Sequence, residues 1–549
     1  MKQQVVKDVT TKEQEQNLSQ LSPFELKNRL IQQATESLRS FARTMLNAGR
    51  GNPNWIATTP REAFFLLGQF SMTECRRTFE YSEGFAGLPQ REGIAHRFEM
   101  FLQEHTSEKG CNLLQSSYEY MLMNHAADPD ELVHEWVEGV IGDQYPVPDR
   151  ILKYTEAVVT DYLNHELCDG RPPLGKMQLF ATEGGTAAMC YIFDSLMQNY
   201  LLERGDSIAL LVPAFTPYIE IPELERYHFD VLHIPASRMT EDGLHLWQYE
   251  KEAIDALRNP KYKALFVINP SNPPSYALSE ETVAQLKDIV ATSNPNLMIV
   301  TDDVYATYIP HFRSLFANLP RNTIGVYSFS KYFGATGWRA AVIALWSDNI
   351  YDELLKQLPS KKKTSLAKRY GSLTMQPNDL KFIDRMVADS RQVALNHTAG
   401  LSLPQQTQMS LFALFSLLDK DNKYRVRMLS IIEKRLKTLW EGAGFTLLPD
   451  PLRAGYYSEI DMLVWAKKFY GPEFVTYLQE NYNPLDIVFR LARETSLVVL
   501  NGGGFDAPEW SVRVSLANLN EGDYAHIGKF LRQILTEYAE AWKATKVLV

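Results

Sequence analysis

Ser328-Phe329-Ser330-Lys331-Tyr332-Phe333-Gly334-Ala335-Thr336-Gly337-Trp338-Arg339 begins where the apolar run Thr323 to Ser328 ends, so a lysine, two hydroxyls and an arginine lie just past an expected strand. A lysine held there can form a Schiff base with an aldehyde. The hydroxyls of Ser328 and Ser330 can bond a phosphate, and the planar cation of Arg339 can pair with it. Any one of these residues alone reads as a Gly-rich surface turn with incidental charge; the combination is what asks for a site.

Working outward, short β-type runs alternate with helical ones from about Gly139 to Asp348. They are Met177 to Ala181, Ser207 to Val212, Ala264 to Ile268, Leu297 to Thr301, Thr323 to Ser328 and Ala340 to Leu345, with helices such as Glu280 to Thr292 between them. Strands this apolar predict a largely parallel sheet covered on both faces, with ligands at the carboxyl ends of its strands. Ser22 to about Asn124 has a mostly helical rhythm, and Ile350 to Asn396 reads as further helices around the Pro-Ser-Lys-Lys-Lys loop at 359–363. Tyr424 to Val549 mixes long helices with strands such as Val512 to Ser515. The expected division is a helical N-terminal segment over 1–138 packing with the small domain, a large domain over 139–400 with a helical insertion at 350–400, and a small α+β domain over 401–549.

With 549 residues, 45% hydrophobic and 22% charged, the chain has ordinary globular composition and length for roughly two to four domains. A net charge of −10 argues against a general nucleic-acid binder, and Lys361-Lys362-Lys363 reads as a solvated run. Cys75, Cys111, Cys168 and Cys190 are scattered, without the spacing of a zinc site or a redox dithiol, so no metal is expected and free thiols suit a reducing compartment. Met1 to Gln20 lacks the apolar stretch of a secretory signal, and runs such as Ile208 to Val212 are too short to cross a bilayer. The expected address is the cytoplasm, with no membrane contact.

The string around Lys331 resembles the Ser-x-Ser-Lys-x-x-Gly-x-x-Gly-x-Arg motif of fold-type I enzymes that use pyridoxal 5'-phosphate (PLP), the aspartate aminotransferase superfamily. Further elements follow in that family's order. Glu183-Gly184-Gly185-Thr186 joins a strand to a helix whose free amides can cradle a phosphate. Phe215 matches the aromatic ring stacked on the cofactor, Asn272 in Asn269-Pro270-Ser271-Asn272-Pro273 the donor to its phenolic oxygen, and Asp302 and Tyr305 the partners of the pyridine nitrogen and that same oxygen. Asp303, beside them, reads as a loop cap. Arg513, in Ser511-Val512-Arg513-Val514-Ser515, resembles the ligand of the substrate α-carboxylate, and Gly142 the glycine whose backbone lies beside the substrate. The resemblance implies the PLP-dependent transferase fold, a large α/β domain with a mixed, mostly parallel sheet plus a smaller α+β domain. It also implies Lys331 as the catalytic lysine and a homo-oligomer, at least a dimer and expected to be larger.

Ordinary members are about 400 residues long, so the N-terminal helices and the 350–396 stretch are additions. Together with Asn47-Ala48-Gly49-Arg50-Gly51-Asn52-Pro53-Asn54-Trp55, Tyr145-Pro146-Val147-Pro148-Asp149-Arg150 and Ala181-Thr182-Glu183-Gly184-Gly185-Thr186-Ala187-Ala188-Met189, they resemble the aspartate 4-decarboxylase family, bifunctional aspartate aminotransferase/L-aspartate β-decarboxylases. That implies β-decarboxylation of L-aspartate to L-alanine and carbon dioxide through a ketimine, with amino transfer to a 2-oxo acid as a side path. No motif names the residue that reads the β-carboxylate; Arg50 is the candidate, with Lys27 behind it. The rival readings are a plain aminotransferase, a β- or γ-elimination lyase, and a binding protein that keeps the fold without catalysis.

Overall fold

The computed structural model describes residues 18, 21–41, 45–241, 243–391 and 400–547. The Gln- and Lys-rich start over 1–17 and the end of the expected 350–396 helical stretch, 392–396, lie outside them.

Seven strands form the central sheet: β1 Met177–Thr182, β2 Ser207–Val212, β3 Asp230–Pro235, β4 Tyr262–Ile268, β5 Met298–Asp302, β6 Thr323–Ser328 and β7 Ala341–Trp346. Their order across the sheet is β1-β7-β6-β5-β4-β2-β3, with β7 antiparallel to both neighbours and the rest parallel. Alternate side chains explain the apolar runs. Ile208, Leu210 and Val212 of β2 join a core with the helices at 185–198 and 382–389, whereas Ala209 and Leu211 face Leu286 and Ile289 of the helix at 280–292. Both faces are covered, so no polar alternation is needed. The exception is β3, an edge strand with only Ile234 buried, so its sequence is not an unbroken apolar run.

The small sheet has the order β8-β10-β9, all antiparallel, with β8 Tyr457–Asp461, β9 Leu500–Asn501 and β10 Ser511–Ser515. It is backed by the helices Lys423–Gly442 and Glu521–Val547. These cross closely: a Cβ on Gly528 would lie 2.1 Å from the Leu439 carbonyl oxygen.

The N-terminal part is helical as expected, and it reaches further than Asn124. Helices Pro129–Ile141 and Lys153–Cys168 precede the first sheet strand, so the α/β alternation starts at Met177 rather than Gly139. Helix Pro23–Phe41 packs on helix Asp486–Thr495, and Leu46–Asn47 pairs in parallel with Leu497–Val498. The expected loop at 359–363 is the start of helix Ser360–Tyr370: Pro359 caps it, and the three lysines sit on its half-exposed first turns.

Candidate active site

Because β4, β5 and β6 are parallel and in register, with Ile268 opposite Asp302 and Asp302 opposite Val326, the turns that follow them open on one edge of the sheet. There they line a cavity of about 300 Å³ with Lys331 in its wall. The Lys331 Nζ donates to the Gly51 carbonyl oxygen at 3.0 Å, and the Tyr456 hydroxyl donates to the same oxygen at 2.8 Å.

One end of the cavity suits an anion. Gly184, with φ +97°, turns from β1 into helix Gly185–Gln198, whose first amides have no helical partner. A Cβ on Gly184 would fall 2.2 Å from Arg339 Nη2, so the turn and the guanidinium share a space that only glycine leaves open. Ser328 Oγ donates to Ser330 Oγ at 2.9 Å beside them, and Thr186 and Thr336 complete the rim.

At the floor, the Asp302 carboxylate accepts from the Tyr218 hydroxyl at 2.5 Å and from the Val304 amide at 3.1 Å. Burial pushes its carboxyl up, while those two donors and the Lys331 cation pull the other way. Asp303, read as a loop cap, is instead fully buried: it accepts from Thr301 Oγ1 at 2.8 Å and Ser314 Oγ at 2.5 Å, and burial raises it to about 8. Phe215 stands at the wall, its ring 5.7 Å from that of Phe24, which helix Pro23–Phe41 brings in.

The far end is cationic. Arg513 is 1% exposed; it donates to Asn272 Oδ1 at 3.2 Å and to the Gly49 carbonyl at 3.3 Å, and lies over the rings of Tyr457 and Phe505. Burial lowers the Lys27 ammonium, and the nearby Arg50 and Arg513 cations lower it further; Arg513 lines the cavity, and Lys27 and Arg50 lie outside its lining. The Tyr305 hydroxyl donates to the Tyr457 hydroxyl at 3.2 Å. Burial alone would raise Tyr457, but Lys331 and Arg513 outweigh it and hold that hydroxyl below its ordinary value.

The structure therefore brings together Gly184, Gly185, Thr186, Phe215, Asn272, Asp302, Tyr305, Ser328, Ser330, Lys331, Arg339 and Arg513. It does not bring Gly142 to them. That residue ends helix Pro129–Ile141 in a left-handed turn against Pro404, and the glycine beside Lys331 is Gly51. A glycine that acts through its carbonyl leaves no residue-type signal, although its neighbour Arg50 is the candidate for the β-carboxylate. Phe24, Tyr218 and Tyr457 also join the site, and no motif marks them.

The aminotransferase class I and II family model matches residues 178–531. A bifunctional aspartate aminotransferase and L-aspartate beta-decarboxylase of a Pseudomonas species is 46% identical over 529 residues, covering 96% of this chain and 98% of that protein. Among solved structures, a double mutant of Thermus thermophilus aspartate aminotransferase superposes with a TM-score of 0.57 at 16% identity, covering 94% of this chain and 98% of that one. Bna3p of Saccharomyces cerevisiae, described as a putative kynurenine aminotransferase, gives 0.57 at 16% identity with 96% and 99% covered. At those identities the two structures speak for the fold alone.

Proposed function

We infer the activity from one premise: the chain belongs to the class I and II aminotransferase family. Its cofactor is PLP, which supplies, when bound, an electron sink conjugated to the substrate's reacting carbons. The residues present fit that group. Arg339, Ser328, Ser330 and the amides from Gly184 to Thr186 would hold its phosphate, Asp302 its ring nitrogen, Asn272 and Tyr305 its phenolic oxygen, and Phe215 its ring face.

The protein converts L-aspartate to L-alanine and carbon dioxide and also transfers the amino group to a 2-oxo acid. The single observation that carries this reading is the 46% identity over 96% of the chain, which extends well outside the 178–531 core common to aminotransferases at large. In this reading Lys331 binds the cofactor and moves the proton at the substrate α carbon. Arg513 grips the α-carboxylate, with its fork oriented by Asn272. Lys27 and Arg50 supply positive charge for the β-carboxylate, which their closeness to Arg513 supports. The chain acts as a homo-oligomer, at least a dimer, a reading supported by exposed apolar residues such as Ile56 and Phe65 close to the Lys331 loop. A cytoplasmic address is supported by four free cysteines. Among the described residues no helix is long and apolar enough to cross a membrane.

The test incubates the PLP-loaded protein with L-aspartate, following carbon dioxide and alanine, and separately oxaloacetate once 2-oxoglutarate is added. Matching carbon dioxide and alanine are expected as the main products. Oxaloacetate alone would reduce the activity to amino transfer.

A further inference from the structure

A second cavity of about 300 Å³ lies along the free edge of β8, and Tyr457 lines both it and the Lys331 cavity. Nothing in the roles above uses it. Its walls are the rings of Trp247, Trp440 and Trp465, and Leu448 at its rim is 74% exposed, so it opens to solvent. Its polar groups run inward. His245 pairs with Asp461 at 2.9 Å and keeps its Nδ1 free of protein partners; Glu459 and then Tyr457 follow at alternate positions of β8.

Glu459 is the unusual member. It is 4% exposed, directly opposite Arg513 in the sheet, and on the same face. One oxygen accepts from the Ser511 hydroxyl at 2.5 Å, and the other has no protein partner. It makes no ion pair with Arg513. Burial raises its carboxyl to about 8, against the pull of Ser511 and Arg513 and with a push from Asp461, so near neutrality it stores a proton. The titratable and charged groups facing it are Arg513 of β10, Tyr457 and Asp461 of its own strand, His245 of the 240–247 segment, Tyr276 of the loop after β4, and Asp450 and Arg453 of the loop before β8.

The reaction needs such a store. L-Aspartate carries two carboxylates and L-alanine one, so each decarboxylation takes up a proton, whereas a full cycle of amino transfer takes up none. We propose that the second cavity is the proton entry for decarboxylation, in which Glu459, reloaded from solvent past His245 and Asp461, supplies Tyr457 through cavity water, and Tyr457 protonates the substrate β carbon. The bond from the β carbon to its carboxylate breaks, the carboxylate leaves as carbon dioxide, and the remaining electron pair forms the new C–H bond with the Tyr457 proton. Tyr457 is placed for this. Its hydroxyl and the Lys331 Nζ lie 2.9 and 3.1 Å from where a Cβ on Gly51 would stand, so the two border one point of the cavity. A cavity this size with several polar partners has room for bridging water.

The inference rests on the decarboxylase reading, and the experiment separates the two. Glu459→Gln keeps the shape of the neutral acid without its proton, so the ratio of alanine to transamination product should fall about tenfold or more, with Glu459→Asp restoring part of it. In the cofactor-free protein near neutrality, the infrared absorption of protonated carboxyls should contain, beside that of Asp303, a band that is absent from Glu459→Gln. An unchanged ratio, equal loss of both activities, or no such band overturns the proposal. If Glu459→Gln does not fold, the wild-type ratio between about pH 6 and about pH 9 decides: it should fall above the Glu459 value, and a flat ratio overturns the proposal. A wild type that releases no carbon dioxide overturns the activity itself, and the proton supply with it, whatever the infrared band shows.

Discussion

Arg513 occupies a position that solvation energy opposes, a guanidinium at the centre of a buried strand. Two aromatic faces at 4.3 and 4.7 Å and two carbonyl acceptors offset part of the desolvation, and its Nε is left without a protein partner. A cation held this way lacks the counter-charge that a carboxylate ligand supplies. Replacing it with lysine keeps the charge and loses the two-pronged geometry. Arg513→Lys should raise KM for L-aspartate about tenfold to a hundredfold, equivalent to ~1.5–3 kcal/mol for a hydrogen bond to a charged group, with a smaller change in kcat. Steady-state kinetics with L-aspartate checks this, and the decarboxylation and transamination rates should fall together, unlike the effect expected of Glu459→Gln. At this scale the side chains that act by charge or nucleophilicity were legible, since Lys331, Asp302, Arg339 and Arg513 each stand in a motif. Gly51 and Tyr218 were not, because a carbonyl oxygen has no residue identity and one tyrosine in an apolar turn reads like another.

The elements bring these groups together through their ends rather than their middles. The turn from β1 into helix 185–198 is the tightest case: Gly184 has a positive φ, and the Arg339 guanidinium fills the space beside it. An alanine there meets both backbone strain and a clash, so either the turn or the arginine must shift. Gly184→Ala should weaken PLP binding at least about tenfold, from loss of one charge-assisted contact, and should also destabilise the cofactor-free protein by roughly 1–3 kcal/mol through the strained turn. Equilibrium titration of PLP into the variant, beside its urea unfolding curve, separates the two effects. The strands were legible because burial on both faces writes them as unbroken apolar runs, and all six of those runs end within one residue of the observed strand end. The edge strand β3 and the lysine-rich start of helix 360–370 were not. One side of each faces water, so local polarity resembles that of a loop even where the backbone is regular.

Across the whole molecule, two buried acids tie folding to pH. Asp303 anchors the turn after β5 in the large sheet and Glu459 lies on β8 beside β10 in the small one, and burial raises both to about 8. In the unfolded chain they titrate as ordinary carboxyls, near 3.8 and 4.5. Between those values and about 8 the folded protein holds protons that the unfolded chain has released. Their contribution to stability is therefore fully present below about pH 4 and declines as pH rises to about 8, by up to ~1.4 kcal/mol per pH unit for each group. Above about 8 both states are ionised and this slope ends. Urea unfolding of the cofactor-free protein should thus show a midpoint that drops between pH 6 and 8 by more than surface groups explain. Asp303→Asn, which cannot ionise and keeps one oxygen to accept from one of the two hydroxyls while its amide nitrogen donates to the other, should flatten part of that drop. A variant slope equal to the wild-type slope would mean that Asp303 is ionised in the native state and that its two hydroxyl donors outweigh the cost of burying its charge.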